Sequence, residues 1–173
     1  GTTVKHLRAT RAGHVNRVGS KERDFNRRIY KILSGKRCQY FGSVAKRSPD
    51  GKCLYFTSAS SRNLPEELEE MHYDIMRAPF DSSTGTFGEP EAVWDSSAEG
   101  GSASHPRISA DGRYLLYTWT EYGTFPIWHE EADLRMIDLI TGEHVDISIW
   151  NDKDCTDSYH SWSSEGRWAM FGT

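Results

Sequence analysis

"SHPRISADGRYLLYTW" occupies residues 104–119, and the chain spells a version of its centre three times. Ser48-Pro49-Asp50-Gly51-Lys52 runs into Cys53-Leu54-Tyr55-Phe56. Ser109-Ala110-Asp111-Gly112-Arg113 runs into Tyr114-Leu115-Leu116-Tyr117. Ser163-Ser164-Glu165-Gly166-Arg167 runs into Trp168-Ala169-Met170-Phe171. Five positions match: a serine, an acid, a glycine, a base and a closing aromatic. The intervals are 61 and 54 residues. Recurrence at such a period is the signature of solenoids, propellers or arrays.

The residues of each copy say which. Pro-Asp-Gly or Ala-Asp-Gly between apolar runs is a turn: Pro sets φ, Asp bonds the following backbone, and Gly takes positive φ. The flanks, Pro106–Ser109 and Tyr114–Trp119, are rich in strand formers, so each copy reads as a β-hairpin. Cys53-Leu54-Tyr55-Phe56 is apolar on both faces, which predicts strands covered on both sides. A second hairpin follows each inner one. Residues 73–80 and 91–94 flank a turn containing Gly85, and residues 133–139 and 144–147 flank one containing Gly142. Residues 28–33 and 36–40 around Ser34-Gly35 read the same way. Four strands per unit at ~50-residue spacing predict blades of a β-propeller.

The pattern serine-proline-aspartate-glycine-base-apolar-x-phenylalanine resembles the propeller repeat of the TolB family, also found in propellers of prolyl oligopeptidase-like proteins. The copy at 105–119, preceded by His105-Pro106, fits best. The copy at 163–171 departs most, with Ser164-Glu165 in place of Pro-Asp. The resemblance covers residues 28–173 and leaves 1–27 as an unassigned basic segment. The expected fold class is all-β: four-stranded antiparallel blades, about three blade equivalents, in an incomplete ring, since closed propellers have 4–8. That count predicts part of a longer propeller. It also predicts apolar blade faces through which two copies could associate. The resemblance implies a non-catalytic binding or interaction module, periplasmic or extracellular, that engages a protein or small ligand at a channel rim.

Composition sets wider bounds. With 173 residues, 12% aromatic and 27% charged, the chain is of a length and make-up that builds one ordinary core. No apolar stretch reaches the length of a membrane span. No signal-like segment opens the chain, and Gly1-Thr2-Thr3 reads as a processing boundary. The net charge of −4 is uneven. Residues 1–37 hold eleven Lys and Arg against two acids, ahead of an acidic body. A strip of this kind can grip nucleic acid or pack on the chain's own acids. The second reading is preferred, because no aromatic precedes Phe25 to stack on bases. Cys38, Cys53 and Cys155 show no zinc spacing; they are read as buried thiols, with a Cys38–Cys53 bridge as the alternative.

The strand before each Asp-Gly turn is expected to line the channel, and its entrance to form a rim. Aligned on their glycines, Tyr159 matches His105 and His160 matches Pro106. His105, Arg107, Asp157, Tyr159 and His160 are therefore the candidate ligand-binding residues, a mix suited to an anion, a sugar or a peptide terminus. The bland alternative is that they satisfy loop backbone. His105 and His160 with a carboxylate are also of metal-ligating type, although no metal or other cofactor is assigned. Two inserts interrupt the blades. Residues 60–71, with Pro65 and acids after it, read as a short helix or a solvated acidic loop. Residues 121–131 carry Tyr122, Phe125, Ile127 and Trp128, which are expected mainly to cover core. The sequence has no Gly-x-Ser-x-Gly, His-Glu-x-x-His or phosphate-loop pattern. His129 beside Glu130 and Glu131 is a weak acid/base set, since strand neighbours point opposite ways. The alternative function is the propeller part of an enzyme, either an oligopeptidase-type hydrolase or a polysaccharide lyase.

Overall fold

The computed structural model describes residues 45–173 except Ser61, Leu64 and Thr124. The basic segment, the 28–40 hairpin and Cys38 lie outside the described residues. Eleven strands follow one another: β1 (Lys46–Arg47), β2 (Cys53–Ala59), β3 (Tyr73–Asp81), β4 (Thr86–Phe87), β5 (Glu91–Trp94), β6 (Ser102–Ile108), β7 (Tyr114–Thr120), β8 (Asp133–Asp138), β9 (His144–Val145), β10 (Ser158–Trp162) and β11 (Ala169–Gly172). They form antiparallel sheets in chain order. The first runs β1-β2-β3-β4 with β5 also on β3, the second β6-β7-β8-β9, and the third is the hairpin β10-β11. Two blades and the inner half of a third are thus present, and the ring is not closed. The first strands meet: β6 touches both β1 and β10.

The repeated turn is held by one circuit of hydrogen bonds. The Ser109 hydroxyl donates to Asp111 Oδ1 (2.5 Å) and accepts from the Tyr114 amide (2.8 Å), while Asp111 Oδ1 also accepts from the Arg113 amide (3.0 Å). Ser48, Asp50, Lys52 and Cys53 make the same bonds. Gly112 closes the turn onto the Ser109 carbonyl at φ 79°, which a side chain would resist. In the third copy the Trp168 amide still reaches Ser163 Oγ, but the Glu165 carboxylate is bonded by Ser164 instead. The longer side chain no longer spans the turn as Asp does. The base of the second repeat has its own role: Arg113 donates from Nε and Nη2 to Asp138, tying the hairpin to β8.

Both faces of the second blade are covered, as the apolar β7 run predicts. Leu115, Tyr117 and Ile137 pack with Ile75 and Trp94 of the first blade. Their neighbours Leu116, Leu134 and Met136 pack the other way, with Trp162, Ala169 and Phe171 of the third hairpin joining that cluster. Period-two alternation therefore gives β7 two apolar faces. Fully burying each leucine contributes about 1.5–3 kcal/mol. Trp168, just before β11, and Met170 within it are 70% and 72% exposed, whereas Leu116, which matches Met170 in the repeat, is fully buried.

Two expectations are corrected. The 60–71 insert is a run of tight turns, not a helix: the Glu67 amide bonds Asn63, and Leu68, Glu70 and Met71 bond carbonyls three residues back. The Asn63 amide is taken by the Glu67 carboxylate. In the 121–131 insert, a 3-10 turn at Pro126–Trp128 buries Pro126 but leaves Phe125, Ile127 and Trp128 exposed. Polar contacts and one of its four apolar residues, Tyr122, hold this loop. His129 Nδ1 bonds Glu131 (2.7 Å), Tyr122 meets the His129 ring edge-on, and Thr156 Oγ1 donates to the His129 carbonyl. Cys53 and Cys155 are free, half-buried thiols. Among the described residues no helix is long and apolar enough to cross a membrane.

Candidate functional site

The first strands of the second and third blades share an irregularity. The β6–β7 register shifts between Ser104 and Arg107, and the β10–β11 register between Ser158 and Ser161. These are matching positions in the repeat. Each bulge contains a residue of left-handed backbone, His105 at φ 53° and Tyr159 at φ 54°. Among the described residues they are the only non-glycines with positive φ. Such a conformation costs on the order of 1–3 kcal/mol, most for a bulky residue such as Tyr. A bulge re-aims side chains, and here it leaves the His105 and Tyr159 rings 6.1 Å apart.

Around this pair the site is graded in burial. Tyr159 is 63% exposed. His105 is half-buried, with Nδ1 3.2 Å from Ser104 Oγ. Burial, and then the Arg107 charge, hold the His105 imidazole below its usual pKa. His160 lies beneath, 2% exposed. Its Nε2 is 3.1 Å from the Leu116 carbonyl and Nδ1 is 3.4 Å from Thr118 Oγ1. A carbonyl can only accept, so the proton sits on Nε2 and Thr118 donates to Nδ1. Desolvation pushes the His160 pKa down to about 4, with the Leu116 carbonyl opposing and the charges of His105 and Arg107 adding to the fall. Both rings are accordingly neutral at pH 7.

Arg107 is half-buried, and its Nε is buried with no hydrogen-bond partner among the described residues. Burial alone lowers its pKa, but a guanidinium remains charged. The backbone there is fixed from the next blade, where Trp162 Nε1 donates to the Arg107 carbonyl (3.1 Å).

Asp157 belongs to a different neighbourhood. It is fully buried, and its Oδ2 accepts from the Asp152 amide (2.6 Å) in the loop that leads to β10. Its own amide reaches the Ala132 carbonyl, and its Oδ1 has no partner among the described residues. Its charge acts on Asp133, raising that carboxyl's pKa after burial and against the opposing pull of Arg135. The structure therefore brings together His105, Arg107, Tyr159 and His160, and leaves Asp157 in the adjoining loop. Among the described residues no group of three or more His, Cys, Asp or Glu is arranged to hold a metal.

A concavity elsewhere on the first blade escapes sequence reasoning. A polar cleft of about 450 Å³ is lined by Ser60, Arg62, Glu70, His72, Asp74, Ser96, Ser97, Gly100 and Gly101. Arg62 and Glu70 are joined through the Glu70 carbonyl, and Asp74 accepts from both the amide and hydroxyl of Ser96. The lining comes from three separate segments, and Gly100-Gly101 ahead of β6 was the one local signal of a close approach.

Solved structures similar to this chain include TolB and β-propeller domains. TolB from Acinetobacter baumannii matches at 19% identity and a TM-score of 0.48, over 73% of this chain and 25% of TolB. The β-propeller domain of the Trilobed protease from Pyrococcus furiosus matches at 14% identity and 0.45, over 79% and 34%. The acylaminoacyl peptidase of Pyrococcus horikoshii matches at 15% and 0.44, over 75% and 16%. The chain spans a quarter of the TolB structure's length and still less of the peptidase. No family model and no curated protein matches it. The blade assignment stands on strand order, the shared turn circuit and the two-sided packing of β7.

Proposed function

We propose that this chain is a non-catalytic β-propeller binding module that engages a protein or small ligand at the rim formed by His105, Arg107 and Tyr159, with His160 as their buried support. One observation carries the reading. Two adjacent blades hold a non-glycine residue in left-handed backbone at the same repeat position, and their rings meet. Strain repeated at matching positions is maintained against its cost, and binding sites are where such strain concentrates. Asp157 serves the site by shaping the loop that leads into β10. An extracytoplasmic location belongs to the same proposal and rests on the motif's resemblance alone. Self-association through the exposed Trp168 and Met170 face also belongs to it; light scattering that finds a monomer at all concentrations removes that part.

The test is selection of peptides from a display library on the wild-type chain, followed by affinity measurement on variants. Tyr159→Ala and His105→Ala should each weaken the selected peptides about tenfold or more, as truncation of a central contact does. Unchanged affinity in both variants sinks the rim reading.

A further inference from the structure

Other arginines near the first and second blades have visible counterparts. Arg77 pairs with Glu91 and Arg113 with Asp138, while Arg135 lies over the Trp119 ring at 4.0 Å. Arg107 Nε is buried without a hydrogen-bond partner among the described residues, and burial is the one influence on its charge, with no acid acting on it. A half-buried cation without a counter-charge is destabilising, because the lost hydration is not replaced. The two imidazoles beside it, His105 and His160, are held below their usual pKa by burial, so neither adds charge to it readily. The site thus offers one planar positive fork, beside a histidine ring and a largely exposed tyrosine.

We infer that the Arg107 guanidinium is the anchor for a carboxylate brought by the ligand, either a small carboxylic acid or the free end of a peptide. This rests on the rim reading above. A guanidinium fork matches a carboxylate through two parallel N–H···O bonds. A single positive charge balances a planar monoanion and leaves a tetrahedral phosphate dianion under-compensated. The Tyr159 hydroxyl and His105 ring supply further polar contacts at the mouth.

The experiment follows the Arg107 Nε–H and Tyr159 ring signals by NMR at constant ionic strength. The probes are sodium acetate, N-acetylglycine, N-acetylglycine amide and sodium phosphate. Saturable shifts with acetate and N-acetylglycine, and none with the amide, are expected. A response to both acids indicates any small carboxylate, and a response to N-acetylglycine alone indicates a peptide end. Arg107→Met should abolish the shift at Tyr159 while melting at or above the wild-type temperature, because it removes an uncompensated cation. Arg107→Lys keeps the charge and loses the fork, so it should weaken binding about tenfold or more. Absence of saturable shifts with both acids, an equal response to the amide or to phosphate, or the same Tyr159 shifts in Arg107→Met overturns the inference. Library peptides that depend on Tyr159 but bind Arg107→Met unchanged would overturn it while leaving the rim reading intact.

Discussion

His160 Nε2 donates to the Leu116 carbonyl across 3.1 Å, and so one strand of the third blade is bonded to the middle of the second. The ring is almost wholly enclosed, and its charged form is correspondingly disfavoured. The unfolded chain takes up a proton near pH 6.5, while the folded one does so only near 4. Between these values the unfolded state binds more protons, so stability falls as pH falls. The His160 contribution is complete above pH 6.5 and is lost on the way down to about 4, to the order of 3 kcal/mol. Urea unfolding of wild type and His160→Gln at pH 7.5, 6 and 5 checks this. The stability lost between pH 7.5 and 5 should be smaller in His160→Gln, and parallel pH profiles would refute the assignment.

The serine of the repeat is expected to matter more than its small size suggests. Ser109 is 1% exposed and serves as donor to Asp111 and acceptor for Tyr114. Ser109→Ala leaves the turn without its central link and should cost about 1–3 kcal/mol by chemical denaturation. The third turn offers the reverse change. Glu165→Asp restores the shorter carboxylate found at Asp50 and Asp111, and should raise stability by a few tenths to about 1 kcal/mol. Asp111 and Asp50 are held below the usual carboxylate range, chiefly by their serine hydroxyls. Their contribution is therefore present above pH 4 and disappears as pH falls below it.

Much of this architecture was legible because it is local. A turn whose serine, aspartate and glycine bond one another reads the same in any context, and β7 shows its two buried faces as an uninterrupted apolar run. The 91–94 strand and the Gly142 turn were equally plain. Chemistry at the site was less legible. That Tyr159 faces out while His160 faces in is ordinary strand alternation, but the left-handed backbone at Tyr159 comes from a bulge, and a one-residue register shift leaves no mark in composition. The repeat alignment did pair His105 with Tyr159, and both occupy the same unusual backbone state. Asp157 read as a rim residue because position alone was visible, whereas its carboxylate is directed to the Asp152 amide. The aromatic insert misled for a related reason. Loop aromatics usually pack, but here a His129–Glu131 bond and a buried Pro126 anchor the loop, so Trp128 is free to face solvent.

Gly101 tests how closely the blade entrance is fitted. Its φ is +83°, and a Cβ there would collide with the Trp119 indole and lie 2.7 Å from the Thr120 carbonyl oxygen. That indole is pinned, donating to the Gly100 carbonyl and carrying Arg135 on its face. Gly101→Ala should therefore destabilise by about 2–4 kcal/mol. Gly100→Ala, at φ +76° with nothing within 4 Å, should cost about 1 kcal/mol. Equal effects in thermal melts would show that the indole yields easily.

Leu115 and Leu116 are adjacent, equally buried and equal in size, yet they face different blades. Truncating either to alanine should cost about 2–5 kcal/mol by equilibrium unfolding. The distinction lies in where the loosening appears. Leu115→Ala opens the cluster shared with Ile75 and Trp94, so hydrogen exchange should accelerate in β3 and β5. Leu116→Ala opens the cluster shared with Trp162, Ala169 and Phe171, so exchange should accelerate first in β10 and β11. That hairpin is also the element with the fewest strands to retain it, and local opening begins where packing partners are few. Leu116→Ala should thus release the third blade at a free energy below global unfolding, with the Tyr159 side of the rim going with it. Identical exchange maps for the two variants would mean that the blades unfold as one unit and that β7 does not divide its two faces between separate neighbours.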